Sequence, residues 1–318
     1  MSQLIHPLSL ASQANTNFIG SKAAALGELK RAGLNVPNGF VVTTYAYPDF
    51  IAPLQEKIRA RLTDDVIMDP AELEGSATEI REWIQAQPLP DSLRAELASA
   101  LETLDNAERA SLIARSSPAS DDLATSFGAG VARAYLGLVG IDEIERAIAR
   151  SWSALWNSRA MYYRWRKKIA QTEPAFAVLV QPMIRADSAG VLYTQHPMSG
   201  DPDEMQIKSV FGLSVPITSA RFRPDEFVFD KSKNEITDRD IADQTVKLMV
   251  GTDGHVEEQV ISETEVEAPS LNDAQVGELA ALGQQIEKFF NAPQDIEWAI
   301  VDDKIFVLQA RPMGMRNS

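Results

Sequence analysis

Apolar residues along this chain follow two rhythms. In some windows they recur three and four positions apart, as on a helix with one buried face. In others they cluster or alternate, as on a strand. GSKAAALGELKRAG (20–33) has the helical rhythm, opened by Gly20 and Ser21 and closed by Gly33. GFVVTT (39–44) predicts a strand. Residues 46–110 are mostly helical in pattern, with breaks near Pro70 and Pro88–Asp91. SLIARSS (111–117) predicts a short buried strand running into a polar loop. Over 142–169 the spacing predicts one long helix with Ile144, Ile148, Trp152, Leu155 and Trp156 on one face. AFAVLVQPMI (175–184) predicts an apolar strand stopped at Pro182, and GVLYT and DEFVF predict further strands. The polar, acidic stretch 232–268 predicts a hairpin plus loop. Residues 272–290 predict a helix with Val276, Leu279, Leu282, Ile286 and Phe289 in register. DIEWAIV and KIFVLQA predict two closing strands. Helices and strands mixed in this order predict an α/β or α+β fold.

Composition narrows the function. The 318 residues suffice for one large domain or two smaller ones. Hydrophobic residues at 45% and charged residues at 24% are ordinary for a globular protein. The formal net charge of -15 argues against a nucleic-acid partner, which favours a basic face. It leaves anionic ligands open, because a few placed cations outweigh global charge locally. The absence of Cys excludes disulfides, thiolate nucleophiles and cysteine-ligated zinc, and fits a cytoplasmic location. No apolar run approaches the ~20 residues of a membrane helix, and MSQLIHPLSL lacks the features of a signal peptide. His6, His196 and His255 are too far apart in sequence for a histidine metal motif.

The closing strands carry the most chemistry. With a three-residue turn at 302–304, Val301 pairs with Ile305, Glu297 with Gln309 and Asp295 with Arg311. Side chains alternate across a strand, so Asp295, Glu297, Gln309 and Arg311 share one face. Ile296, Trp298, Leu308 and Ala310 fill the other. Carboxylates and an amide carbonyl are hard oxygen ligands suited to Mg²⁺, and an arginine holds phosphate through paired hydrogen bonds. Alternation alone favours a plainer account, an exposed strand face whose charges pair.

Two further cations stand far away in sequence. Lys22 lies in the first turn of its helix, where free N–H groups and positive potential favour an anion. Arg115 follows an apolar run with Ser116 and Ser117 behind it, and can clamp phosphate or pair with Asp121 or Asp122. The Gly-rich SFGAGVARAYLG (126–137) lacks the strand–helix context of a dinucleotide fingerprint, and GELKRAG is no Walker motif. Arg164, Arg166, Lys167 and Lys168 end a helix, where the dipole favours positive charge.

Taken together, IGSKAAALGELKRAGLNVPNGFVVTT, ARSSPASDDLATSF, VLVQPMIRADSAGVLYTQHPMSGD, RPDEFVF and QDIEWAIVDDKIFVLQARPM resemble one family along nearly the whole chain. It is the ATP-grasp nucleotide-binding domain of phosphoenolpyruvate synthase, pyruvate phosphate dikinase and rifampin phosphotransferase. The resemblance implies an α/β (α+β) ATP-grasp fold of two subdomains, 1–185 and 186–318, with the nucleotide site between them. It implies ATP and Mg²⁺ as ligands. Lys22, Arg115 and Arg311 would contact phosphates and serve catalysis. Gly130 matches a glycine of the phosphate-covering loop, and Gln181 would lie at the adenine hinge. Glu297 and Gln309 match the Mg²⁺-associated pair.

The sequence also departs from the family. S-F-A-G-Q-Q reads SFGAGV here, so both glutamines are gone. Ala134 replaces a usual Thr, and Val215 stands where G-L-G-E has its Glu. None of the three His has the context of the family's phosphorylatable His. The resemblance therefore implies transfer of a phosphoryl or pyrophosphoryl group to a phosphohistidine domain on a separate polypeptide or segment. A self-contained small-molecule kinase or carboxylate-activating ligase stays open, as does a non-catalytic nucleotide-binding module. No nucleic-acid or membrane partner is expected.

Overall fold

Pro70 opens the Pro70–Ala86 helix at the position where its missing N–H costs nothing. Asp69 before it accepts from Ala71 N and Glu72 N at 2.9 and 3.1 Å. This helix belongs to the first of two compact units, residues 1–28 and 38–183. The second comprises 29–37 and 184–318. The structure, a computed structural model, describes residues 3–119, 134–173, 175–218 and 222–314. Gly130 and most of the altered loop at 126–134 lie outside the described residues. No described helix is long and apolar enough to cross a membrane.

The first unit is built on an antiparallel sheet of β1 (Ile5–Pro7), β2 (Phe40–Val42), β3 (Leu112–Ser117), β4 (Ala134–Leu138) and β5 (Ala177–Pro182). Their spatial order is β1-β2-β5-β3-β4. Its core buries Tyr47, Phe50, Trp152, Trp156 and Phe176 completely or nearly so. The polar tips of both tryptophans are satisfied: Trp152 Nε1 donates to Phe176 O at 2.8 Å and Trp156 Nε1 to Tyr47 Oη at 2.9 Å.

The single helix expected over 142–169 is two, Gly140–Ser153 and Ser158–Lys167. Asn157 breaks it. Its backbone is extended, and its side chain accepts from Ala160 N at 2.8 Å, capping the second helix. Ile144, Ile148, Trp152, Leu155 and Trp156 are nonetheless all buried. The basic cluster ends the second helix as expected, with Arg164, Arg166 and Lys167 in its last turn. Arg164 is fully buried, donating to Leu155 O at 2.7 Å and Gln171 Oε1 at 2.9 Å.

The second unit holds a six-stranded antiparallel sheet. Its strands are β6 (Ser188–Tyr193), β7 (Glu204–Phe211), β8 (Asp225–Asp230), β9 (Glu235–Asp240), β12 (Gln294–Val301) and β13 (Lys304–Pro312), in the order β13-β12-β6-β7-β8-β9. A separate hairpin pairs β10 (Val246–Val250) with β11 (Val256–Val260). Residues 29–37 group with this unit for a concrete reason. Asn35 O accepts from Val307 N at 2.8 Å, and Asn35 Nδ2 donates to Ile305 O at 3.1 Å, so the segment is bonded to β13.

One face of the sheet is apolar: Ile296, Leu192, Ile207 and Phe227 lie side by side across four strands. Each is buried, at about 1.5–3 kcal/mol of hydrophobic stabilisation per side chain. The Asp273–Phe290 helix packs on this face, started by an Asn272–Gln275 capping box. Gly283 is the contact point. A Cβ there would lie 2.6 Å from Leu192 Cδ2 and 2.6 Å from Met205 Cε. The buried stripe is Val276, Leu279, Ala280, Gly283 and Ile286, so Phe289, expected in register, is instead exposed.

Candidate functional site

The first unit brings the neighbourhoods of Lys22 and Arg115 together. Lys22 is the second residue of the Ser21–Arg31 helix and is half-buried. Ser21 N donates to Pro118 O at 2.8 Å, and Ala23 N to Ser117 Oγ at 3.3 Å. The helix start is therefore bonded to the end of β3, the strand that carries half-buried Arg115. Gly20 makes this docking possible. Its φ is +80°, and a Cβ would lie 2.0 Å from Ser117 O.

The same contacts correct one expectation. The N–H groups of Ser21 and Ala23 are taken by the protein, so they are not free for an anion. What this helix start offers is the charge of Lys22 rather than a full set of amides. Gln181, on β5 opposite Ile113, is buried to 3% exposure. Gly39 (φ +152°) leaves room for it: a Cβ there would lie 2.8 Å from Gln181 Cγ.

In the second unit, Glu297 faces Gln309 and Asp295 faces Arg311 across the β12–β13 pair. The turn differs from expectation. Val301 pairs with Lys304, and only Asp302 and Asp303 turn, both with positive φ (46° and 58°). Ile305 accordingly pairs with Ile300, not Val301. The one-residue difference is absorbed by a bulge between Glu297 and Trp298, with Leu308 as the extra residue on β13. Beyond the bulge the expected pairs stand. Ile296, Trp298 and Ala310 are buried, while Leu308 is only half-buried.

The polar face extends beyond the hairpin. In register, the row Arg311–Asp295 continues through Tyr193 to Gln206. The row Gln309–Glu297 continues through Val191 to Lys208 and Glu226. Arg311 Nε and Nη2 both donate to Asp295 Oδ2, at 2.9 and 2.7 Å. The Tyr193 phenol is pushed above its ordinary value by burial first and then by the Asp295 carboxylate. Arg311 opposes the rise, and Glu297 and Glu226 add to it. Tyr193, Gln206, Lys208 and Glu226 were not among the residues expected from sequence. The alternation in EMQIK was the available signal.

Among the described residues, no group of three or more His, Asp and Glu converges as a metal site. Glu297 and Gln309 still offer two oxygen donors in direct cross-strand register on one face. Mg²⁺ is usually held by one or two carboxylates, with water and substrate phosphates completing its shell, so the Glu297 carboxylate with the Gln309 amide oxygen beside it fits the ion.

Residues 16–318 match the family model described as pyruvate phosphate dikinase, AMP/ATP-binding domain. The chain is 33% identical over 300 residues to a probable phosphoenolpyruvate synthase of Archaeoglobus fulgidus, covering 93% of this chain and 40% of that protein. It is 35% identical over 314 residues to a rifampicin phosphotransferase of Streptomyces sp, covering 98% and 36%. It is 35% identical over 295 residues to the prodigiosin synthesizing transferase PigC of Serratia marcescens, covering 93% and 31%. The chain thus spans 31–40% of the length of these relatives.

Proposed function

We propose, from the premise that this chain belongs to the pyruvate phosphate dikinase AMP/ATP-binding domain family, that it binds ATP with Mg²⁺ and acts as the ATP-cleaving part of a phosphotransferase. The observation that carries the reading is the hairpin register. Glu297 opposite Gln309 and Asp295 opposite Arg311 put oxygen donors and a guanidinium on one sheet face. The membership also supports the ATP-grasp type of this α+β fold.

In this reading Lys22, Arg115 and Arg311 hold the phosphates and keep them in line for transfer. Gln181 takes the adenine edge. Glu297 and Gln309 hold the metal, which supplies charge neutralisation to the phosphate oxygens. Phosphoryl transfer needs positioned cations more than covalent help from the protein, and these side chains are of the required type. The transferred phosphoryl or pyrophosphoryl group goes to a histidine on a separate domain or protein. A second reading, a non-catalytic nucleotide-binding module, draws on Val215, which opens the short Val215–Thr218 helix where the family expects Glu.

Product analysis tests the reading. The chain is incubated with ATP and Mg²⁺, alone and with candidate acceptors, and the nucleotide products are identified. AMP with phosphate supports the histidine route. ADP with a modified small molecule supports direct transfer. Tight ATP binding with no turnover under any condition would leave a binding module and overturn the catalytic proposal. Glu297→Ala should abolish Mg²⁺-dependent ATP binding or turnover in a protein that still folds.

A further inference from the structure

Lys208 shares the polar sheet face with the Glu297–Gln309 pair and stands in the same cross-strand row, two strands away. Adjacent strands are about 4.8 Å apart, so its backbone is roughly 10 Å from that of Glu297. The four-carbon stem of a lysine reaches about 6 Å. Only Val191 lies between them in the row, and its side chain is shorter than either neighbour's. A phosphate drawn to the Glu297–Gln309 pair by the cation that this pair would hold is therefore within reach of the Lys208 ammonium.

The current partner of that ammonium is Glu226. Lys208 Nζ donates to Glu226 Oε1 at 2.7 Å, and Gln206 Nε2 donates to Glu226 Oε2 at 2.9 Å. The amide fixes the carboxylate, and the carboxylate holds the lysine toward β8. The pair remains partly exposed, at 26% and 32% of the side-chain surfaces. Such pairs contribute only ~0–1 kcal/mol, so an incoming phosphate can compete for the ammonium. A phosphate offers more negative charge and more acceptor oxygens than a single carboxylate.

We infer that Lys208 is a further phosphate-binding cation of this site, held on Glu226 until a phosphate of the bound nucleotide takes it over. The inference rests on the reading that ATP phosphates lie at the Glu297–Gln309 pair. It adds a residue and an exchange of partners that the hairpin alone does not contain.

Calorimetric titration of the chain with Mg-ATP and with adenosine tests it. Lys208→Met should weaken ATP binding by about tenfold or more, the loss of one charge-assisted contact, and leave adenosine binding unchanged. Lys208→Arg should restore most of the loss. Glu226→Gln should tighten ATP binding about threefold to fivefold by removing the competitor. Equal ATP affinity in Lys208→Met and the wild type would overturn the inference. So would equal weakening by Lys208→Met and Glu226→Gln with matching falls in melting temperature, which marks a structural ion pair. Wild-type binding that is lost in Glu297→Ala but kept in Lys208→Met sinks only the lysine. A wild type that binds no ATP sinks the underlying reading as well.

Discussion

Asp295 and Arg311 are paired through one oxygen: Nε and Nη2 of the arginine both donate to Asp295 Oδ2. The arginine is exposed on 52% of its side chain and the aspartate on 15%. An ion pair this open contributes little to stability. Its use lies in aim, because it holds a two-nitrogen fork on the polar face. Arg311→Lys keeps the charge and loses the fork. Melting temperature should stay within about a degree or two of the wild type. ATP turnover should fall about tenfold to hundredfold, as expected for losing one charge-assisted contact. Steady-state kinetics beside thermal denaturation checks both. Unchanged turnover would remove Arg311 from the phosphate site.

Gly20 has the opposite balance, since its importance is steric. With φ at +80° and Ser117 O 2.0 Å from any Cβ, alanine cannot be placed without moving the helix start off β3. The backbone conformation alone, φ +80° with ψ 163°, is essentially restricted to glycine and costs about 1–3 kcal/mol, and displacing two hydrogen bonds at the Ser117–Pro118 end adds to it. Gly20→Ala should lower the melting temperature by several degrees and weaken ATP binding together. A fully stable Gly20→Ala protein with normal ATP affinity would show that the docking of Lys22's helix is unimportant to the site.

Asp230 provides a test in acid. Its carboxyl is held below the ordinary aspartate value of 3.8. The Lys233 ammonium contributes most, followed by the Ser232 hydroxyl and the Lys233 amide. A depressed folded-state pKa means that the unfolded chain takes up the proton first. The stabilisation is therefore present above the ordinary value and is lost as pH falls below it. Asp230→Asn should be less stable than the wild type near neutrality, and the gap should close in acid. Urea denaturation at a series of pH values measures it. A gap independent of pH would mean that the charge is not what matters.

The hairpin shows how far the sequence could be read. Alternation predicted that Glu297 would face Gln309 and Asp295 would face Arg311, and they do. The predicted three-residue turn did not appear. Two aspartates adopted left-handed conformations, and Leu308 bulged to restore the register. Local turn geometry is decided by packing around it, whereas the pairing of polar positions is constrained by which face must be buried. Strand β7 escaped for the converse reason. In EMQIKSVF, the side chains facing the site are polar and only Met205 and Ile207 mark the buried side of its first half, so the apolar signal is thin where the chemistry is richest. Asn157 likewise hid inside a helical rhythm that its cap interrupts without moving the buried tryptophans.

The turn also supplies a control that separates stability from function. Asp302 and Asp303 both have positive φ, at 46° and 58°, the conformation of a two-residue turn that favours glycine at its second position. Asp303 gains one hydrogen bond in return, from Gln275 Nε2 at 3.0 Å. That bond is exposed, and its net ~0.5–1.5 kcal/mol is of the same order as the ~1–2 kcal/mol cost of a left-handed backbone that glycine avoids, or smaller. Asp303→Gly should therefore leave stability unchanged or raise the melting temperature by a few degrees. The turn lies at the far end of the hairpin from Glu297 and Arg311, with the Leu308 bulge between them. ATP affinity should accordingly remain at the wild-type value. If Asp303→Gly instead weakens ATP binding at full stability, the register of the site pairs depends on this turn, and the bulge does not insulate them from it.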